Sequence, residues 1–238
     1  MFNLLDLIFP KRCVSCGRIG SYLCGDCLSR VEFVDKPVCP VCQRQAIEGR
    51  VHPGCGGKYR LDGLVVACRY RGPVKRAITK VKYKWIYDIE EVFVNLLVKN
   101  LWRFDLPKDA VLVPVPLHFK RRRWRGFNQA EILAKHLATT FKVTLADILE
   151  RSRATKTQVG LTRDERRDNV RGAFSLHPSA ILSFAKRHPE LDLGSFLKER
   201  DVILVDDVFT SGATTSECAK VLKRAGAKSV WAMAVALG

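Results

Sequence analysis

The chain has 238 residues, 47% of them apolar, which is enough for one medium domain and a small appendage and excludes wholesale disorder. Its 41 Lys and Arg against 24 Asp and Glu leave a formal net charge of +17, which points to a polyanionic partner: nucleic acid, a phosphorylated substrate or an anionic surface. No stretch reaches the roughly 20 apolar residues needed to span a bilayer, so an integral membrane protein is not expected.

The first segment, MFNLLDLIFPKRC, is apolar over residues 3–9, but it has no basic start, carries Asp6 and is followed by no small-residue cleavage site. It reads as a short amphipathic helix packed on the rest of the protein rather than a secretory signal. The expected location is cytoplasmic, where thiols stay reduced, and nine cysteines then suit metal better than disulfides.

Seven of the nine lie between residues 13 and 55. Their spacing is Cys13-x2-Cys16-x7-Cys24-x2-Cys27, then Cys39-x2-Cys42-x9-His52-x2-Cys55. A C-x2-C turn sets two sulfurs on one side of a tight knuckle, at the ~2.3 Å reach of Zn²⁺, and two knuckles close a tetrahedron. Two tandem zinc ribbons follow, the first Cys₄ and the second Cys₃His, holding two structural zinc ions. With every coordination position filled, neither site is expected to be catalytic. Cys68 and Cys218 stand apart and read as small core residues.

From about residue 60 the pattern changes. LVVACRY (64–70), AVLVPVPL (110–117), DVILVD (201–206) and SVWAMAVA (229–236) look like buried strands, and helical spacing covers 74–83, 89–102, 128–141 and 213–226. The alternation predicts a parallel α/β sheet with helices on both faces, and a domain division of 1–58 and 59–238. Residues 177–200 look like an insertion with a short helix near 181–186. In such sheets ligands bind at the carboxyl ends of the strands.

Residues 202–217, VILVDDVFTSGATTSE, fall at such an end. Thr210, Ser211, Gly212, Ala213 and Thr214 are small enough to turn their backbone N–H groups toward one anion, and the amino end of the next helix adds partial positive charge. There is no Walker A spacing and no lysine. Asp206 and Asp207 suit vicinal hydroxyls or a metal ion, so a ribose 5-phosphate satisfies both halves of the segment. A simpler reading makes Thr214 and Glu217 a capping box, with Ser211 or Thr214 as an N-cap; it explains the hydroxyls but not two adjacent carboxylates at a buried strand end.

VILVDDVFTSGAT resembles the 5-phosphoribosyl 1-diphosphate (PRPP) motif of type I phosphoribosyltransferases. The resemblance implies that Asp206 and Asp207 hold the ribose hydroxyls and that residues 210–214 take the 5-phosphate. PVPLHFKRRRWRGFNQAEILAKHLA (114–138) resembles the signature of the ComF competence-protein family, above all Arg125-Gly126-Phe127-Asn128-Gln129. The pattern Arg151, Arg153, Thr155, Gln158, Leu161, Arg166 and Asn169, with Phe174 after it, is similar to that family as well, and so is a double zinc ribbon before a transferase-like domain. The family implies a type I phosphoribosyltransferase-like α/β fold, a diphosphate turn at Val115, Pro116 and Leu117 with Mg²⁺ neutralising the oxygens, and a lid with Arg151, Arg153, Thr155 and Gln158. Two features depart from it: a long 177–200 insertion, and His52 where a cysteine is expected.

The run Lys120, Arg121, Arg122, Arg123, Trp124 and Arg125 reads as a basic loop at the same end of the sheet. It can clamp an anion, with Trp124 as a stacking face for a base, or be a solvated loop. Two functions stay open. One is a competence protein that binds PRPP and handles incoming single-stranded DNA beside other cytoplasmic competence proteins. The other is a phosphoribosyltransferase acting on a small acceptor with no nucleic-acid role.

Overall fold

The structure is a computed structural model that describes residues 10–81, 89–156, 160–177 and 196–238. The helices expected at 3–9 and 181–186, and the candidate lid residue Gln158, lie outside the described residues. Among the described residues six strands occur: β1 (Gly63–Arg69), β2 (Val111–Pro114), β3 (Leu149–Glu150), β4 (Ser175–Leu176), β5 (Asp201–Phe209) and β6 (Ser229–Leu237). β3 and β4 form a small antiparallel pair, and the other four make one parallel sheet in the order β1-β6-β5-β2.

Side chains alternate across this sheet with the period of two that a strand dictates. Leu64, Val66, Val113, Val202 and Leu204 bury on one face. Val65, Ala67, Ile203, Val205 and Met233 bury on the other. Both faces are therefore covered, as a parallel sheet requires.

The α-helices of the described residues are α1 (Gly25–Leu28), α2 (Gly72–Val81), α3 (Ile89–Val98), α4 (Phe119–Arg125), α5 (Gln129–Phe141), α6 (Arg163–Val170) and α7 (Ala213–Arg224). α2 buries Val74, Ala77, Ile78 and Val81, and α5 buries Ala130, Leu133, Ala134 and Leu137, each at the i, i+3, i+4, i+7 spacing of one helical stripe. Both join α3 in the core on the Val65 and Ile203 face. α7 places Cys218, Ala219 and Leu222 in the core on the Leu64 and Val202 face.

Two segments run along the outer strands. Beside β1, Arg69 N–H donates to Glu32 O (2.7 Å) and Val34 N–H donates to Ala67 O (2.8 Å), with Phe33 bridging Cys68. Beside β2, Leu112 N–H donates to Thr144 O (2.8 Å) and Ala146 N–H donates to Leu112 O (2.9 Å).

Three expectations change. The strand expected over 110–117 ends at Pro114, so residues 115–118 are free to turn. β5 runs to Phe209, three residues past the expected end, and both carboxylates belong to the strand itself. The run 120–125 is a helix rather than a loop. His118 Nδ1 accepts from Lys120 N–H (3.4 Å) at its start, and Gly126 closes it at φ +81° with its N–H on Arg122 O (2.8 Å). Arg and Lys between those caps are good helix formers.

Candidate functional site

The pairing of β2 with β5 stops at Pro114 opposite Val205, while β5 stays paired with β6 as far as Phe209 opposite Leu237. From Asp206 onward, one edge of β5 therefore faces open space. The chain leaves β2 toward α5 on one face and leaves β5 toward α7 on the opposite face. A crevice opens between such divergent connections, where ligands settle in open α/β sheets. Here it is a cavity of about 810 Å³.

Of the candidate residues, Asp206, Asp207, Thr210, Gly212, Ala213 and Thr214 line this cavity with Val115, Pro116, Leu117, Arg121, Trp124, Arg125 and Arg151. Ser211, Lys120, Arg122, Arg123, Arg153 and Thr155 are not among its lining residues. Arg122 is paired with Glu131 (2.8 Å), and Arg153 donates to the carbonyls of Asn169 (3.1 Å) and Arg171 (2.8 Å), which fixes the base of the segment before α6.

The loop after Asp207 is shaped by Gly212. Its φ is +71°, and a Cβ there would sit 2.6 Å from the Phe209 ring, so only glycine fits. Gly212 is also the N-cap of α7, and no side-chain cap bond forms there among the described residues. The capping box is not made: Glu217 accepts instead from Gly172 N–H (3.1 Å) and Lys220 Nζ (2.7 Å). Ser211 Oγ lies 3.4 Å from Ala213 N–H, at the limit of a useful bond. The amino end of α7 thus keeps the partial positive charge that draws an anion. Asp206 Oδ1 accepts from Asp207 N–H at 2.8 Å, which orients the first carboxylate.

Two buried donors stand out on the cavity wall. Arg151 is 7% exposed, bonds the Thr155 hydroxyl and stacks over the Phe174 ring, yet its Nε has no partner among the described residues. Burial lowers its pKa and Arg121 lowers it further, while Asp206 opposes both. An arginine nonetheless keeps its proton, and a buried cation of this kind calls for an anion. Gln129, also 7% exposed, lines the cavity with its Nε2 unbonded among the described residues. Next to it, Asn128 caps α5 by accepting from Ala130 N–H (3.2 Å) and donates to Val115 O (3.1 Å), so it pins the turn at 115–117.

Sequence reasoning did not single out Gln129 as a donor, nor Tyr70, Lys75 and Thr79, which close the far side of the cavity. Lys75 lies in the helical spacing of residues 74–83 and carries no motif. Only the placement of α2 beside the end of β1 gives it a role.

The cysteine head presents two clusters: Cys13, Cys16, Cys24 and Cys27, and Cys39, Cys42, His52 and Cys55. In each, the ligand atoms all lie within 4.8 Å of one another. Zinc–sulfur bonds of ~2.3 Å place tetrahedral ligands about 3.8 Å apart. Cys16 and Cys24 sulfurs are 3.6 Å apart, and Cys42 Sγ is 3.3 Å from His52 Nδ1, so both sets fit the ion. His52 Nε2 sits 2.9 Å from Gln45 O; carrying the proton there leaves Nδ1 as the ligating atom. Burial pushes the Cys13 and Cys39 thiols up, but backbone N–H groups of each knuckle outweigh it and lower them to about 6 and about 7. Both sets support structural zinc.

Family models match in the same order along the chain: a double zinc ribbon domain over residues 4–56 and a phosphoribosyl transferase domain over 125–237. Competence protein F of Haemophilus influenzae is 28% identical over 238 residues, covering 90% of this chain and 97% of the relative. DNA utilization protein YhgH of Escherichia coli is 30% identical over 220 residues, 87% of each chain. The chain belongs to the ComF competence-protein family. Competence protein ComFC of Streptococcus pneumoniae, 27% identical over 88% of this chain and 85% of its own, extends the similarity. This ComF-family chain is thus a double zinc ribbon joined to a phosphoribosyltransferase-type α/β domain. Among its described residues no helix is long and apolar enough to cross a membrane.

Proposed function

We propose that this ComF-family chain binds PRPP with Mg²⁺ in the crevice, and that it serves natural transformation by handling incoming single-stranded DNA in the cytoplasm. The observation that carries the sugar-phosphate part is the amino end of α7, without a side-chain cap, opening on the same cavity as Asp206 and Asp207. In this reading the two carboxylates accept from the ribose hydroxyls. The backbone and hydroxyls of residues 210–214 hold the 5-phosphate. Val115, Pro116 and Leu117 take the diphosphate, with Arg151 and Gln129 as donors. Mg²⁺ carried by PRPP supplies charge neutralisation at the diphosphate, and Asp206 and Asp207 are the carboxylates lining the cavity that can share it.

The nucleic-acid part is supported by the net charge of +17 and by α4, where exposed Phe119 and Trp124 flank four consecutive basic residues beside the cavity. The names of the relatives, competence protein and DNA utilization protein, point the same way. A second reading, transfer of the phosphoribosyl group to an acceptor, is favoured by the extent of the cavity beyond the loop to Tyr70, Lys75 and Thr79. There a nucleophile displaces diphosphate from the sugar, and the protein contributes orientation and electrostatics.

Calorimetric titration with PRPP and Mg²⁺ tests the site. The wild type is expected to bind, and Asp206→Asn/Asp207→Asn to bind at least about tenfold more weakly, as loss of charged hydrogen bonds implies. A wild type that gives no heat overturns the PRPP reading. For DNA, single-strand affinity should fall with salt by about −0.7 in log–log slope for each phosphate contacted, and a flat response removes the nucleic-acid role.

A further inference from the structure

The second ribbon reaches into the candidate site from 167 residues away in sequence: Gln43 Nε2 donates to the backbone carbonyl of Thr210, the first residue after β5. Two residues earlier, Val41 O accepts from the guanidinium of Arg163, the first residue of α6. Val41 and Gln43 flank Cys42, one of the four metal ligands. The knuckle is therefore bonded on one side of its cysteine to the loop after β5 and on the other to α6.

The backbone of Gln43 sets this contact apart from the first ribbon. In the first ribbon the residue after the second cysteine is Gly17, at φ +83°, with its N–H on Cys13 O (2.8 Å). In the second ribbon the same turn is made by Gln43 at φ +58°, with its N–H on Cys39 O (3.0 Å). Glycine suits this left-handed position, and an L side chain is seldom found in it. Such strain persists where the surroundings over-determine it, and it collects at functional positions. What glycine cannot do here is reach Thr210.

We infer that Gln43 is a positioning residue of the phosphate loop, and that through it metal binding at Cys39, Cys42, His52 and Cys55 sets the geometry in which residues 210–214 receive a phosphate. The ion fixes the Cys39–Cys42 turn, the turn aims the Gln43 amide, and the amide holds the Thr210 carbonyl away from the anion. Coupling of this kind is reciprocal: whatever the ion does for phosphate affinity, the bound phosphate does for the ion. The ligand side of the inference rests on the PRPP reading; the loop-ordering side does not.

Three proteins test it: wild type, Gln43→Gly, and Gln43→Lys, which keeps a donor at the end of a long side chain. Zinc content, hydrogen exchange of the peptide covering residues 207–214, and PRPP affinity with Mg²⁺ are measured on each. Gln43→Gly should retain two zinc ions, exchange faster in the loop and bind PRPP about fivefold or more weakly, with Gln43→Lys recovering part of both losses. PRPP with Mg²⁺ should also slow zinc transfer from the wild type to a zinc-binding dye, and do so less in Gln43→Gly. Unchanged loop exchange in Gln43→Gly overturns the inference and leaves the PRPP reading standing. A wild type that ignores PRPP ends that reading, and loop exchange then decides the positioning role alone.

Discussion

The two ribbons repeat one ligand pattern, yet they meet the rest of the molecule differently. In the first, Cys13 and Cys27 are 1% and 0% exposed, and with Cys24 they join Val31, Val74 and Ile78 in one core. In the second, Cys39 is buried but joins neither core cluster, Cys42, His52 and Cys55 are only half-buried, and the ribbon attaches by polar bonds: its knuckle to Thr210 and Arg163, and Val51 N–H to Asp62 O beside β1. Burial in a core makes a metal site inseparable from folding. Attachment through a few hydrogen bonds leaves it able to influence a neighbouring loop while the fold stands.

The sharpest way to break this contrast is to remove one ligand from each ribbon. Cys27→Ser should abolish folded protein or most of its stability, since structural zinc in ribbon-like peptides contributes roughly 10–16 kcal/mol. Cys42→Ser should give a folded protein with one zinc ion and weakened PRPP binding. Equal melting temperatures for the two would erase the distinction. Next in size, His52→Ala should empty the second site, and His52→Cys should refill it as Cys₄; native mass spectrometry counts the ions. Smaller still, Gly17→Ala should cost about 1 kcal/mol because alanine resists φ +83°. Gln43→Gly should leave stability within about 0.5 kcal/mol, as relief of backbone strain is offset by a looser unfolded chain. Thermal melts separate the two.

The smallest effect lies outside both ribbons and serves as their control. His118 is 5% exposed, and burial, with Arg151, Lys120 and Arg121 nearby, lowers its pKa below the ordinary 6.5. The fold therefore favours the neutral ring, which caps α4. Its contribution, about 1 kcal/mol for a cap, is present above pH 6.5 and is lost as pH falls through the lower folded value. His118→Asn caps without titrating, so its melting temperature should lack that part of the acid dependence.

Much of this was legible in the sequence because local pattern and global fold agree. The paired cysteines announced the knuckles, and the apolar runs announced four buried strands. The segment VILVDDVFTSGAT placed acids and small residues at the end of β5. The family resemblance also carried the double ribbon and the transferase-type domain, which the comparisons support. What stayed hidden depends on distant contacts. Arg151 looked like one basic residue among seven over residues 151–171, and only packing against Phe174 shows it buried. The helix at α4 was concealed by its charge, since it buries no stripe for periodicity to reveal. Gln43 had no signal beyond standing where the first ribbon has glycine.

The segments alongside β1 and β2 have a further consequence. A parallel sheet of four strands has two outer rows of backbone donors and acceptors, which would recruit a second chain if left bare. Residues 32–34 cover the first row and residues 144–146 the second. The stretch over β1 lies between the two ribbons in the sequence, and Arg103 donates to its Val34 and Asp35 carbonyls. Loss of metal from the first ribbon, whose cysteines share a core with β1, should therefore bare this row and show itself as self-association.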